Sequence, residues 1–521
     1  MYARFITGMP AFLRQRITLD DARAVVAARL KSREQNFLSI LERAVFARPA
    51  SPYNFLLREA RCEPGDVRQM VGREGVDAAL ASLYDAGVSV SFEELKGRAP
   101  IVRNGRTFPA ASGSFDNPLV KRQYEAQSSG STGVATSVKA GLANVAAQAH
   151  MMILAQEANG TFGAPVILYR PGPPCNTATN NILRHIITGN PVRRWFSPVA
   201  STEIGPPLRF RVAAELTPRL VRLCGSPFPE MEVVPFNNAI VVAHSAAAYA
   251  RKEGRCLVRC SVSAALTVSI AAVEHGVDLT NVTFSGTGEP PSPGKVRGIN
   301  ASGARYVTTY SMTEAGPLGV ACARGIDSTD VHVMEDKIAL LQRMQTPSGA
   351  SEAVGLFFLT SLLSTGPKIL INVATDDFGI LEERECGCPL GELGLHRHLR
   401  HIRSVGKLTG RGITLFASDI LHIIEDILPR QFGGTAQDYQ LVEEEDRSGA
   451  TQLHLLVSPT VQLADENAPA LTLLAALARG TPNASLQSAM LRGAGAVRVR
   501  RQQPRASARG KLPAFRTVAA R

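Results

Sequence analysis

No uninterrupted apolar run in these 521 residues approaches the roughly 18 that cross a bilayer, so no membrane helix is expected. The opening Met1-Tyr2-Ala3-Arg4-Phe5-Ile6 lacks the apolar core of a signal peptide, and Asp20 and Asp21 do not suit a transit peptide. A cytoplasmic protein is the expectation. Eight cysteines are present without the spacing of a disulfide framework, which leaves them as thiols or metal ligands. Aromatics make up only 6% of the chain, with a single Trp, and nowhere alternate with basic residues as on a nucleic-acid surface. Acid is missing where base is densest: Arg492 to Arg521 holds nine Lys/Arg and no Asp or Glu. Twelve less these nine leaves only about +3 for the rest of the chain, so the net charge of +12 describes a tail rather than a basic protein. Such a tail fits a solvated end, a nucleic-acid arm or an electropositive lid over an anionic substrate.

What is present is ordinary globular composition, 45% hydrophobic and 20% charged, on a chain too long for one core. Residues 1–105 read as helical. Apolar residues recur at helical spacing over Leu19 to Arg33 and Phe37 to Arg48, Thr18 suits an N-cap, and Glu63-Pro64-Gly65-Asp66 opens a helix towards Asp85. From about 140 to 380, apolar β-branched runs alternate with helical segments, which predicts a layered α/β domain. Strands are expected at Val166–Tyr169, Ala239–Ala243, Val282–Ser285 and Tyr306–Tyr310. Residues 406–521 change texture into a small α+β unit with strands at Tyr439–Val442, Leu453–Val457 and Val497–Arg500. The expected organisation is a large N-terminal layered α/β domain, 1–405, and a small mobile α+β domain, 406–521.

Ser128-Ser129-Gly130-Ser131-Thr132-Gly133 packs four hydroxyls and two glycines into six residues. Glycines let backbone N–H groups approach an anion, and successive amides with hydroxyl donors form a concave phosphate site. The other reading of this stretch is a flexible linker. Further segments fall at expected strand ends: Gly286-Thr287-Gly288-Glu289-Pro290, Tyr310-Ser311-Met312-Thr313-Glu314 and Thr375-Asp376-Asp377-Phe378-Gly379, with Arg509-Gly510-Lys511 near the C-terminus. Taken singly, Glu314 also suits a helix N-terminus, Asp377 a turn and Lys511 a disordered tail.

In this order, over residues 120 to 515, the segments resemble the adenylate-forming (ANL) superfamily of acyl-CoA synthetases, most closely its phenylacetate–CoA ligase-like branch. The resemblance implies a fold of two domains and a reaction joining a carboxylate to the α-phosphate of ATP. Ser128 to Gly133 would hold the β- and γ-phosphates, and Gly288, Glu289, Pro290 and Tyr310 would line the adenine. Thr313 would contact the α-phosphate, Glu314 would help hold Mg²⁺, and Asp377 would accept hydrogen bonds from the ribose. Lys511 would reach the reacting oxygens, where negative charge accumulates. The branch's proline is replaced by Ala135, and its hinge motif is shortened to Gly406-Lys407-Leu408-Thr409-Gly410-Arg411-Gly412, without an Asp-Asp pair. Lys407 stands where an arginine would contact ribose.

Cys386-Gly387-Cys388 with Cys322 and His332 offers three thiolates and an imidazole, a donor set suited to a closed tetrahedral structural Zn²⁺. His396, His398 and His401 are rival fourth ligands. The expected function is therefore activation of a carboxylic acid, an aryl or other small organic acid, as its acyl-adenylate, with transfer to CoA or another thiol such as carrier-protein phosphopantetheine. Transfer to an amine or hydroxyl is the alternative, and a non-catalytic nucleotide-binding homologue the second. A homodimer is compatible with this reading; a membrane partner is not, and a nucleic-acid partner has only the charge in its favour. The acid's pocket is expected between residues 170 and 290, where Trp195, Phe196, Phe236 and His244 lie without an assignable role.

Overall fold

The first hundred residues form six helices: α1 (Tyr2–Leu13), α2 (Leu19–Lys31), α3 (Arg33–Ile40), α4 (Pro52–Glu59), α5 (Pro64–Asp85) and α6 (Phe92–Lys96). Thr18 caps α2 as expected: its side chain accepts from the Asp21 N–H at 3.1 Å, and Asp21 accepts from the Thr18 N–H at 3.0 Å. The predicted helix from Pro64 does reach Asp85, but kinks at Gly75, whose φ of 78° no other residue adopts cheaply. A capping box of Ser91 and Glu94 starts the short α6. Gly97 ends it at φ 70°, with its backbone so close to the Ser112 nitrogen that a Cβ would come within 2.6 Å. This computed structural model describes residues 2–127, 137–173, 175–200, 208–346, 353–405, 407–410, 413–446, 449–479, 482–504 and 515–518.

One sheet of twelve strands dominates the large domain. In chain order they are β1 (Val166–Tyr169), β2 (Arg194–Ser197), β3 (Met231–Val233), β4 (Cys256–Ser261), β5 (Val282–Thr287), β6 (Arg305–Met312), β7 (Gly316–Ala321), β8 (Val331–Val333), β9 (Ile338–Gln345), β10 (Val354–Ser361), β11 (Val373–Glu383) and β12 (Arg397–Ser404). Across the sheet the order is β3-β2-β1-β4-β5-β6-β7-β8-β12-β11-β10-β9. From β3 to β6 all neighbours are parallel, and from β6 to β9 all are antiparallel. The parallel half is wrapped by α7 (Leu142–Ala158), α8 (Thr177–Ile187), α9 (Leu208–Leu223), α10 (Ile240–Glu253), α11 (Val262–Glu274) and α12 (Pro293–Asn300). The expected strand at Ala239–Ala243 is corrected here. Those residues enter α10, with Val242 and Ala243 buried against the sheet, because a run apolar at every position carries no period to tell helix from strand.

The small domain is built on a four-stranded sheet of Val497–Arg501, Thr451–Val457, Tyr439–Glu445 and Phe515–Val518, in that order, with helices Ala468–Leu477 and Pro482–Gly493. The strand expected at Tyr439–Val442 runs on through the acidic residues to Glu445. Pairing of Glu443 to Glu445 with Leu453 to Thr451 gives those residues backbone partners. Its apolar residues, Ile420, Ile424 and Leu441 among them, pack into the same cluster as Val242 and Val258 of the large domain. Where the two domains meet, Ser292 Oγ donates to Glu445 Oε2 at 2.6 Å. There Gly449, at φ 83°, lies so close to Gly294 that a Cβ on it would sit 2.4 Å from the Gly294 carbonyl carbon. No helix among the described residues is long and apolar enough to cross a membrane.

Candidate active site

Strand β6 is where the sheet changes from parallel to antiparallel. Arg305 to Thr308 pair in parallel with β5, whereas Thr309 to Met312 pair antiparallel with β7, with a bulge between Tyr310 and Ser311. The tight β6–β7 turn carries Thr313, exposed, and Glu314, only 2% exposed. Lys337 fixes this turn from below, its Nζ donating to the carbonyls of Ala315 at 2.8 Å and Pro317 at 2.7 Å. Burial pushes the Lys337 ammonium down to about 8, partly offset by the neighbouring Asp336 carboxylate.

Two residues singled out for the nucleotide meet directly. The Tyr310 hydroxyl donates to Asp377 Oδ2 at 2.8 Å, and the Ser404 hydroxyl donates to Asp377 Oδ1. Thr375 Oγ1 accepts from the Asp377 N–H at 3.2 Å. Asp376 turns through φ 59°, a left-handed step that an aspartate tolerates better than most residues. Burial, reinforced by the Asp377 charge, drives the Tyr310 hydroxyl well above its ordinary pKa, so it stays a neutral donor.

Glu314 and Glu289 are engaged differently from the expectation. The Glu314 carboxylate forms a buried ion pair with Lys96, the last residue of α6. Burial raises its pKa, but the charge and hydrogen bond of Lys96 outweigh this and hold it below the ordinary carboxylate value. A Mg²⁺ ion on this carboxylate would have to displace or share Lys96, so the residue does not present an open metal site. Nearby, Lys368 Nζ is taken by Asp116 Oδ1 at 3.0 Å and the Ser112 carbonyl at 2.7 Å. Glu289 does not offer its carboxylate to a ligand. It accepts from the Ser263 N–H and hydroxyl, both at 2.6 Å, and from Lys295 Nζ at 3.1 Å, tying the β5 end to the N-terminus of α11.

Ser128, Ser129, Gly130, Ser131, Thr132, Gly133 and Lys511 lie outside the described residues, as does the side chain of Lys407. Lys407–Gly410 itself pairs with Ile413–Phe416 in a two-stranded hairpin.

The proposed metal ligands converge, with an addition. Cys322, His332, Cys386 and His398 place one donor atom each within 4.8 Å of all the others. Cys388 Sγ stands 4.0 Å from Cys322 Sγ and 3.1 Å from His332 Nε2, while Cys386 Sγ is 3.7 Å from that same nitrogen. The donor set fits a thiolate-binding metal in its outer shell as well. His332 Nδ1 bonds the Leu395 carbonyl at 2.8 Å, which leaves Nε2 as the donor to a metal. His398 Nδ1 bonds Asp330 Oδ1 at 2.8 Å, and its buried Nε2 meets no partner among the described residues. The Cys388 N–H points at Cys386 Sγ at 3.5 Å. Of the three rival histidines, the structure brings only His398 into the cluster, since His332 and His398 are cross-strand partners on β8 and β12.

Sequence reading missed Lys96, Lys337 and Ser404. Each acts on residues at least 20 positions away, and a lysine ending a short helix carries no local mark of its partner.

No family profile matches the chain, and no curated protein does. Among solved structures it is similar to 2-hydroxyisobutyryl-CoA ligase in complex with 2-HIB-AMP and CoA. That likeness has a TM-score of 0.55 and 16% identity, over 95% of this chain and 90% of the other. Weaker likenesses include the amide bond synthetase McbA from Marinactinospora thermotolerans (TM-score 0.43, 13% identity, 94% and 93% covered). Another is McyG A-PCP complexed with phenylalanyl-adenylate (TM-score 0.34, 13% identity, 84% and 63% covered). The first of these shows a shared fold: a large layered α/β domain followed by a small strand-containing one.

Proposed function

We propose that this protein is an ATP-dependent, AMP-forming ligase that activates a small organic acid as its acyl-adenylate and passes the acyl group to CoA or another thiol. The observation that carries this reading is the convergence of Tyr310, Asp377 and the Thr313–Glu314 turn where the sheet passes from parallel to antiparallel pairing, on a fold shared with an acyl-CoA ligase. Asp377 takes the ribose hydroxyls, held for them by Tyr310 and Ser404. Thr313, exposed at the turn, contacts the α-phosphate. Ser128 to Gly133 cradle the departing pyrophosphate, and Lys407 approaches the ribose. Glu314 would help hold a Mg²⁺ that neutralises phosphate charge, and only when Lys96 yields. Gly288 and Pro290 border the adenine, while Glu289 braces that border through Ser263 and Lys295.

ATP–pyrophosphate exchange across a panel of carboxylic acids tests the reading, and exchange with none of them overturns it. Asp377→Ala is expected to raise the KM for ATP in that assay about ten- to a hundredfold, hydrogen bonds to charged groups being worth about 1.5–3 kcal/mol. An unchanged KM would remove Asp377 from the nucleotide site.

The thiol and imidazole cluster holds a structural Zn²⁺ in this reading, with Cys322, His332 and Cys386 as ligands and Cys388 or His398 completing the tetrahedron. Its role is to clip the strand after the Glu314 turn to the loop after β11. Purified protein should contain about one zinc per chain. Asp330→Asn, which loosens His398, should weaken zinc retention against a chelator about 10- to 100-fold if His398 is a ligand. Metal analysis that finds no zinc refutes the site, and unchanged retention in the variant assigns the fourth position to Cys388.

A further inference from the structure

Between α7, α8 and strands β4 to β7 lies a cavity of about 50 Å³, room for a few waters or one carboxylate-sized group. Among the described residues its wall contains Arg184 and Arg259 and no Asp or Glu. Arg259 makes no hydrogen bond or ion pair among the described residues. Arg184 reaches only neutral acceptors, the Asn180 carbonyl at 3.2 Å and Gln148 Oε1 at 3.1 Å. Gln156, 6% exposed, also lines the cavity, and its buried Nε2 meets no acceptor. Ser285 and Thr309 add hydroxyls. Every unspent group named here is a donor or a hydroxyl.

Two unneutralised guanidiniums beside each other are costly unless something anionic sits between them. Burial, with mutual repulsion and that of nearby Arg170, pulls Arg259 down to about 9, and burial pulls Arg184 down to about 10. The cavity also adjoins the proposed reaction centre. Thr309 and Pro317, on either side of the Thr313–Glu314 turn, form part of its wall. Gln148, bonded to Arg184, packs so closely on Gly316 that a Cβ there would sit 2.6 Å from its Nε2.

We infer that this cavity receives a second anionic group on the acid being activated, so that the substrate class is a dicarboxylic acid rather than a simple fatty or aryl acid. The inference rests on the adenylation reading. One carboxylate is presented to ATP at the β6–β7 turn, and the distal carboxylate is held by Arg184, Arg259 and Gln156. A site built to bond a polar group rejects the analogue that lacks it, because its own buried donors are then left unmet.

The test compares ATP–pyrophosphate exchange with chain-matched pairs, butanoate against succinate and hexanoate against adipate, in the wild type, Arg259→Met, Arg259→Lys and Gln156→Leu. The diacid of at least one pair should be preferred about tenfold or more in kcat/KM. Arg259→Met should collapse that ratio through the diacid's KM, and Arg259→Lys should restore part of it. Monoacids that match or exceed diacids in the wild type overturn the inference, as does a variant that slows both acids equally. A second arm needs no turnover: thermal shifts of the full-length protein with succinate, adipate or inorganic phosphate, without ATP. If no acid supports exchange, the adenylation reading fails. A diacid-induced stabilisation lost in Arg259→Met then still supports the cavity as a diacid site, and its absence sinks that too. Stabilisation by phosphate but by neither diacid makes the cavity a site for a free inorganic anion and refutes the substrate assignment. Should Arg259→Met fail to fold, Arg259→Lys and Gln156→Leu carry the comparison.

Discussion

Lys511→Ala is expected to lower ATP–pyrophosphate exchange about 10²- to 10³-fold, the cost of removing one preorganised group that stabilises transition-state charge. The lysines already near the β6–β7 turn are all committed elsewhere. Lys96 is paired with Glu314, Lys368 with Asp116, and Lys337 spends its protons on the Ala315 and Pro317 carbonyls. Each is engaged within the protein, yet a carboxylate attacking a phosphate requires added positive charge where the anions meet. In the proposed mechanism that charge comes from the small domain, and Lys511 is the residue whose place in the chain matches it. The half-reaction from preformed acyl-adenylate to thioester should be much less affected, since it no longer brings those two anions together. Exchange at the wild-type rate in Lys511→Ala would take the role away from this residue.

Lys96→Met should destabilise the protein by about 3–5 kcal/mol, because it strands the Glu314 carboxylate in a site from which water is excluded. Both partners are almost completely buried. Adding Glu314→Gln to Lys96→Met should recover most of the loss in denaturant unfolding. The double variant should still fail in exchange if Glu314 also serves the metal–nucleotide complex, which separates the structural from the catalytic role. The pH dependence has a definite sign. Glu314's pKa in the folded protein lies below its ordinary value, so its pairing contributes stability above the unfolded pKa and loses it as pH falls through the folded one. Without Lys96, burial outweighs the weaker lowering by a backbone hydrogen bond and Lys368 and raises the carboxyl, so the variant's deficit should shrink as pH falls towards the ordinary carboxylate value. A deficit that grows with acid, or a loss below about 1 kcal/mol, would show that the pair contributes little.

Much of the architecture was readable residue by residue. Capping at Thr18, the Pro64 helix start and the short strands at Val166 and Val282 all rest on local signals, and all appear in the fold. Where the reading failed, burial had erased the signal. Ala239 to Ala243 is apolar on every side in its helix, so neither a period of two nor one of 3.6 shows in it. Strand β4 went unrecognised for the opposite reason. Arg259 interrupts its apolar run, and only the cavity beneath explains a charge there. At the candidate site, order along the chain pointed to Tyr310 and Asp377, which the fold brings together. The partners that tune them could not be read, because Lys96 lies 218 residues before Glu314 and Ser404 reaches Asp377 only through strand register. His398 was one of three equivalent candidates until pairing of β8 with β12 placed it opposite His332.

The meeting of Gly449 with Gly294 has a consequence for turnover. Two residues without side chains meet there backbone to backbone and leave nothing to interlock at that spot, while the apolar residues of the two domains pack together beside it. Beside it stands a side-chain latch, Ser292 to Glu445. A joint of this kind holds one angular setting while little must be unmade at this point to leave it. In the proposed two-step reaction, the glycine pair would let the small domain turn with little side-chain repacking at that contact.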